Sequence, residues 1–284
     1  MKLSEIYIRD PFILPYNGMY YLYGKTRESD LKFCVYKSID LENWSEPEVI
    51  FAPSENFWAT KDFWAPEVHA HNGKFYLFAS FKSEDRMRGT QILVSDKPDG
   101  MFQPISNYAQ TPENWECLDG TLYVDKKGNP YMVFCHEWTQ IGNGTVCSAR
   151  LSEDFSKFET EPQVLFAAAD YEFVSAYHGG NGGYVTDGPF FYRTINDELL
   201  LTWSSFGEKG YFVSVLKSDN REIDGNWISQ SLLFEEDGGH GMLFKTFEGE
   251  LRFVFHTPNG PAGLERAVIY KIKEKDGSIV LENR

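Results

Sequence analysis

Asp10-Pro11-Phe12-Ile13, Ala65-Pro66-Glu67-Val68, Asp119-Gly120-Thr121-Leu122, Asp187-Gly188-Pro189-Phe190 and Gly241-Met242-Leu243-Phe244 are five versions of one segment, and their recurrence decides the fold. Each is followed by a turn and an aromatic-rich stretch, at residues 19–23, 75–80, 131–135, 199–203 and 251–255. Asn17-Gly18, Asn72-Gly73 and Gly128-Asn129 separate the two stretches in three copies. Such residues tolerate positive φ, the chemistry of a tight hairpin, so the two stretches are predicted to be consecutive antiparallel strands. A third strand is expected at 33–37, 91–94, 145–151 and 211–217, each running into a Ser with an Asp nearby and then a closing Trp or Phe. The fifth copy has 268–272 as its third strand and a weaker tail. Repeat starts at 10, 65, 119, 187 and 241 give intervals of 55, 54, 68 and 54.

Sheets of about four strands at a period of ~50 residues are the signature of a β-propeller, whose neighbouring blades bury each other's faces around an axis. A β-sandwich also has frequent turns but lacks a longer register of five. The chain is therefore expected to be all-β, a five-bladed β-propeller forming one domain over residues 1–284, with no linker or low-complexity break.

Composition narrows the partners. Apolar residues make up 42% of the 284, enough for a substantial core, and 27 Lys+Arg against 42 Asp+Glu leave a net charge of −15. So negative a surface repels nucleic acid and anionic lipid, and no window is long and apolar enough to cross a bilayer. Aromatic residues reach 16%, which suits half-buried strands and supplies ring faces for a neutral, ring-shaped ligand. Cys34, Cys117, Cys135 and Cys147 lack zinc or redox spacing and are read as buried thiols. The first residues show no signal-peptide pattern, so a cytoplasmic location is expected.

In a propeller the first strand of each blade lines the axis, so equivalent positions converge at one end of the central funnel. Read from the repeats, Asp10, Asp119 and Asp187 share one phase, where copies two and five carry Ala65 or Pro66 and Gly241. An Asp before Pro or Gly is by itself a common turn former. Three in phase gather in one dry site, where mutual repulsion pushes their pKa values apart, as acid/base chemistry requires. Inverting glycoside hydrolysis needs one protonated and one ionised carboxyl ~6.5–9.5 Å apart, a spacing that suits residues facing each other across a funnel.

At these residues the sequence resembles glycoside hydrolase family 43, the arabinanases, α-L-arabinofuranosidases and β-xylosidases built as five-bladed propellers. Arg9-Asp10-Pro11 is similar to the family's segment carrying the general base, and Phe63-Trp64-Ala65-Pro66-Glu67-Val68 to its second-blade segment. Asp119 matches the aspartate that orients the acid and tunes its pKa. Thr186-Asp187-Gly188-Pro189 matches the segment whose acid is usually Glu, and the sequence departs there. One methylene fewer sets the carboxyl roughly 1.5 Å back, enough to matter when a 1 Å misplacement costs about 100-fold. Glu137 and Glu172 are the substitutes to inspect.

The resemblance further implies that His240 sits on the axis near a water-coordinated calcium or similar ion, and that Arg266 hydrogen-bonds sugar hydroxyls. An imidazole alone cannot define a calcium site, which prefers oxygen ligands. Trp64 is the first candidate stacking platform among the flanking Trp58, Trp138 and Trp203, while Trp44 and Trp227 close blades and are structural. The long third interval holds a Gly-rich loop over 167–184 whose position beside Asp187 suits a pocket wall, with His178 as a substrate contact. The reading is an inverting hydrolase releasing terminal arabinofuranose or xylose from neutral plant-derived oligosaccharides, without an organic cofactor. The alternatives are a non-catalytic sugar-binding propeller, motivated by the Asp at the acid position, and a hydrolase of the same fold for another sugar such as galactose.

Overall fold

The computed structural model describes residues 1–26, 31–177 and 182–282 and is a five-bladed propeller of four-stranded antiparallel sheets. Blade I holds β1 (Arg9–Tyr16), β2 (Met19–Lys25), β3 (Phe33–Ser38) and β4 (Glu48–Phe51). Blade II holds β5 (Lys61–His71), β6 (Lys74–Lys82), β7 (Gly89–Ser95) and β8 (Gln103–Pro104). Blade III holds β9 (Cys117–Val124), β10 (Pro130–His136), β11 (Thr145–Arg150) and β12 (Gln163–Ala167), with the one-turn helix α1 (Trp138–Ile141) after β10. Blade IV holds β13 (Asp187–Arg193), β14 (Leu199–Gly207), β15 (Gly210–Ser218) and β16 (Trp227–Phe234). Blade V holds β17 (Gly239–Lys245), β18 (Leu251–Thr257), β19 (Arg266–Lys275) and β20 (Ser278–Leu281). Among the described residues no helix is long and apolar enough to cross a membrane.

Local chemistry explains the hairpins. Asn17-Gly18 and Asn72-Gly73 both take positive φ at two successive residues, the turn whose twist matches antiparallel strands. The closing aromatics Trp44 and Trp227 are buried, as is Phe102, so the ends of these three repeats pack into the sheet stack, while Phe158 is half-buried. Between blades I and II, Phe33, Phe51, Phe57, Phe63 and Phe81 form one cluster with ring centres 4.9 to 6.1 Å apart, most pairs edge to face, with Phe51 and Phe63 stacked. The third interval is longer because the described residues between β12 and β13, 168–177 and 182–186, belong to no blade strand.

β1, β5, β9, β13 and β17 are the innermost strands and lie against one another in a ring. Each carries a bulge at the same place. The register jumps at Arg9/Phe12, Trp64/Glu67, Leu118/Thr121, Asp187/Phe190 and Gly239/Met242. Inside each jump one residue takes a left-handed conformation: Asp10 (φ 51°), Ala65 (44°), Asp119 (54°), Gly188 (51°) and His240 (47°). Bulges re-aim side chains, and here three of the five bring Asp10, Asp119 and His240 to one end of the axis.

This register corrects the phase read from the repeats. Asp10, Asp119 and His240 are equivalent, but Asp187 stands one position earlier, level with Arg9, Trp64, Leu118 and Gly239. Gly188 occupies the left-handed position itself. Pattern matching on Asp-Pro and Asp-Gly could not detect a one-residue offset, because the bulge rather than the sequence spacing sets which face a side chain meets.

The strained position is held by the preceding blade. Asp119 N–H donates to Ser80 Oγ (3.0 Å), His240 N–H to Ser204 Oγ (2.8 Å) and Asp10 N–H to His256 Nδ1 (3.2 Å). Ser80, Ser204 and His256 are themselves equivalent, facing Trp64, Asp187 and Gly239 across their own sheets. The third bond joins blade V to blade I. Among the described residues no strand is shared there. Ile8 N–H on Glu265 O (3.4 Å), the Tyr7–Arg266 bridge and the Arg9–Glu265 ion pair (2.8 Å) hold the same seam. Ring closure and the axial carboxylates therefore depend on neighbouring residues.

Candidate active site

A cavity of about 490 Å³ opens at the end of the axis where the five bulges lie. All five blades contribute to its lining, including Asp10, Asp119, Asp187 and His240. His240 Nδ1 is the hub, 3.3 Å from Asp10 Oδ1 and 3.5 Å from Asp119 Oδ2. Asp119 Oδ2 also accepts the N–H of Gly188 (3.0 Å), which ties it to the backbone immediately after Asp187. Asp187 Oδ2 accepts from the hydroxyl of Tyr211 at 2.9 Å. Gly188 is required here, since a Cβ would lie 2.7 Å from the His240 ring at an already left-handed backbone.

Burial and charge separate the three carboxyls. Burial raises the proton affinity of Asp10, but His240, Arg9 and Lys25 outweigh it and hold this carboxyl below its ordinary value. Burial pushes Asp119 up to about 8; His240 opposes the shift, and Asp187 and Asp10 add like-charge repulsion. Burial also lifts Asp187 to about 6 against His240 and the Tyr211 hydrogen bond, with Asp10 and Glu137 adding to the rise. Asp119 and Asp187 titrate as a pair that retains a proton near neutrality while Asp10 is ionised. Burial disfavours the charged form of His240, yet Asp10, Asp119, Asp187 and Glu67 together raise its pKa. Burial drives His256 down to about 4, so it is neutral, accepting from Asp10 at Nδ1 and donating from Nε2 to Asn259 Oδ1 (3.2 Å).

Trp64 lines the cavity, and the Arg88 guanidinium sits 4.2 Å over its ring. Arg88 also pairs with Asp62 (2.8 Å) and with Glu137, which lines the cavity beside Trp138. Glu137 is thus inside the site, engaged with a cation. Glu172 lies instead beside a separate hollow with Phe173, Lys209 and Phe212. Trp203 is core, and Trp58 packs against Phe57, Phe81 and Tyr108. From the long interval, Tyr177 and Val185 reach the cavity wall, whereas His178 falls outside the described residues.

Arg266 is not among the residues lining the cavity. Its guanidinium donates to the carbonyls of Ser4 (3.1 Å), Gly263 (3.4 Å) and Glu265 (2.8 Å), clasping the seam between blades V and I. The arginine that faces the cavity is Arg9, fixed by Glu265 Oε1 (2.8 Å) and by the carbonyl (3.1 Å) and side chain (2.8 Å) of Asn259. Its place next to Asp10 was the available signal. Tyr211 and His256 carry no such signal: Tyr211 reaches Asp187 across the strands of its own blade, and His256 reaches Asp10 only through the packing of blade V on blade I.

The donor set does not form a cage for an ion. Among the described residues no three His, Cys, Asp or Glu side chains are arranged to hold a metal, and the Nδ1 of His240 already faces two carboxylates. An axial ion would have to be held through waters.

Residues 4–277 match the family described as glycosyl hydrolases family 43. A xylosidase/arabinosidase from Humicola insolens is 27% identical over 152 residues, covering 48% of this chain and 46% of that protein. An extracellular exo-α-(1→5)-L-arabinofuranosidase from Cellvibrio japonicus is 21% identical over 263 residues, 85% of this chain and 72% of its own. Over the alignment with the Humicola protein, the chain spans about half the length of the curated relative. The crystal structure of an endo-arabinase from Bacteroides thetaiotaomicron superposes with a TM-score of 0.92 at 41% identity, covering 98% of each chain. A near-full-length family match, a five-bladed ring and axial carboxylates on three blades agree: the chain belongs to glycosyl hydrolases family 43, a family of inverting glycoside hydrolases.

Proposed function

We propose that the protein hydrolyses glycosidic bonds in arabinose- or xylose-containing plant oligosaccharides with inversion. Asp10 is the base, Asp187 the acid, and Asp119 the residue that orients Asp187 and keeps a proton in the pair. The observation that carries this reading is the division of charge around His240: an ionised Asp10 on one side, a proton-holding Asp119/Asp187 pair on the other. Asp10 takes a proton from water as the water oxygen bonds to the anomeric carbon. Asp187 gives its proton to the glycosidic oxygen as the C–O bond breaks. The products are a sugar of inverted configuration and a free hydroxyl. Asp10 then holds a proton and Asp187 has lost one, and exchange with solvent resets both. Arg9 and Trp64 supply a fixed donor group and a ring face for the sugar. No step requires an axial ion.

Exo action fits a cavity that all five blades wall in, because a pit accepts a chain end better than a chain interior. Internal cleavage is the rival, and chromatography of early products from arabinan and xylan separates them. Cytoplasmic residence belongs to the same reading: all four cysteines are free and buried, which suits a reducing compartment, and cell fractionation tests it. The decisive experiment is turnover of nitrophenyl α-L-arabinofuranoside and β-D-xyloside by wild type, Asp10→Asn and Asp187→Asn, with product stereochemistry by NMR. Each variant is expected to lose at least about 100-fold in kcat/KM while keeping its fold. Full activity in Asp10→Asn removes the base assignment, and wild-type sugar binding without turnover favours the non-catalytic alternative, which the shortened acid makes specific.

A further inference from the structure

We propose that Tyr211 is the positioning residue that allows an aspartate to serve where the family usually has a glutamate, its hydroxyl fixing one carboxyl oxygen of Asp187 so that the other presents the proton to the cavity. The inference rests on Asp187 being the acid. Asp187, Ser204 and Tyr211 project from the same face of blade IV, the face packed on blade V, because Asp187 pairs with Ser204 and Ser204 with Val213, two residues beyond Tyr211. The Tyr211 hydroxyl spans the gap and donates to Asp187 Oδ2 at 2.9 Å.

The ring is closely enclosed. It is 2% exposed, lies 5.9 Å from the His256 ring at 23° and 5.0 Å from Phe206, and occupies space that any side chain at Gly239 would claim. A Cβ on Gly239 would come within 2.5 Å of the Tyr211 ring, so glycine there admits the phenol. A short carboxylate on a rigid strand, met by a phenol clamped between two blades, is held in one orientation without the extra methylene. His256, on the other side of the phenol, receives the N–H of Asp10, so one stack references both carboxyls.

The groups acting on Asp187 are His240 from β17, Tyr211 from β15, Asp10 from β1, Asp119 from β9 and Glu137 beside α1. Of these, the Tyr211 hydroxyl bonds directly to the carboxyl and stabilises its ionised form. Removing it therefore loosens the acid and raises its proton affinity together, a combination that a structural role would not produce.

The test uses Tyr211→Phe and Asp187→Asn with phenyl and nitrophenyl glycosides of α-L-arabinofuranose and β-D-xylose, and a carboxyl NMR titration of Asp187. Tyr211→Phe is expected to lose about 100-fold in kcat/KM on the phenyl glycoside, which needs acid assistance, and less than about tenfold on the nitrophenyl one. The alkaline limb of its pH profile and the Asp187 titration midpoint both move to higher pH. Equal losses on both leaving groups with an unmoved midpoint, or no loss at all, overturn the proposal. If Asp187→Asn hydrolyses the phenyl glycoside as well as wild type, the acid assignment fails and takes this inference with it. A dead Asp187→Asn beside an unaffected Tyr211→Phe overturns the inference alone.

Discussion

Replacing His240 with asparagine should move the whole pH profile of the enzyme upward. The side chain's Nδ1 is 3.3 Å from Asp10 Oδ1 and 3.5 Å from Asp119 Oδ2. At an effective dielectric constant of about 20, a full charge at these distances attracts each carboxylate by about 5 kcal/mol. Drying the three groups offsets much of that, and opposite charges at this range shift a carboxyl by about 1–3 pH units, or about 1.4–4 kcal/mol. Asparagine tolerates the left-handed backbone of His240 (φ 47°) and keeps its N–H on Ser204, so the bulge survives while the charge goes. The sign follows from the roles. Asp10 works ionised and its pKa is depressed, in part by His240, so losing the cation raises it and the acidic limb of kcat/KM climbs by about one unit or more. His240 also opposes the rise at Asp119 and Asp187, so the alkaline limb climbs with it. The assay is kcat/KM on the faster nitrophenyl glycoside across about pH 4–9, with circular dichroism to confirm folding. An acidic limb that stays in place, or moves down, would refute the assignment of His240 as the charge that keeps Asp10 ionised.

Three further outcomes follow from the same geometry. Glu137→Gln removes an anion that raises the proton affinity of Asp187, so the alkaline limb should move to lower pH, opposite in direction to Tyr211→Phe; a shift upward would show that Glu137 acts otherwise. Gly188→Ala puts a Cβ 2.7 Å from the His240 ring at φ 51° and should destabilise the fold by about 1–3 kcal/mol with loss of activity, read by urea unfolding and turnover. Phe81→Ala empties a fully buried site touching Phe33, Phe51, Phe57 and Phe63 and should cost about 3–5 kcal/mol by the same unfolding assay, and a cost under about 1 kcal/mol would mean the blade I–II interface collapses around the gap.

Much of the molecule is legible in its sequence. Asn-Gly turns, aromatic strands and a period near 54 residues specify hairpins and blades, because turn stereochemistry and the burial of alternating rings are local properties of the chain. The same repeats point to Asp10, Asp119 and Asp187, and the family resemblance to Trp64, and the structure gathers all four around one cavity with His240. Arg266 was misplaced for a physical reason: it adjoins the residue that anchors Arg9, and only the blade V–I seam determines which guanidinium turns inward and which is spent on backbone carbonyls.

What the chain order alone settles is the number of blades and which carboxylates lie at their inner strands, since both follow from interactions within about 50 residues. What needed the folded structure is what strand register and blade packing decide: within blade IV, the bulge that sets Asp187 one step out of phase and the phenol of Tyr211 against the acid; between blades, the Ser80, Ser204 and His256 acceptors that hold the left-handed residues. These contacts join residues that are 24 to 246 positions apart, and the proton affinities they set depend on burial and on charges brought from all five blades, neither of which exists until the ring is shut.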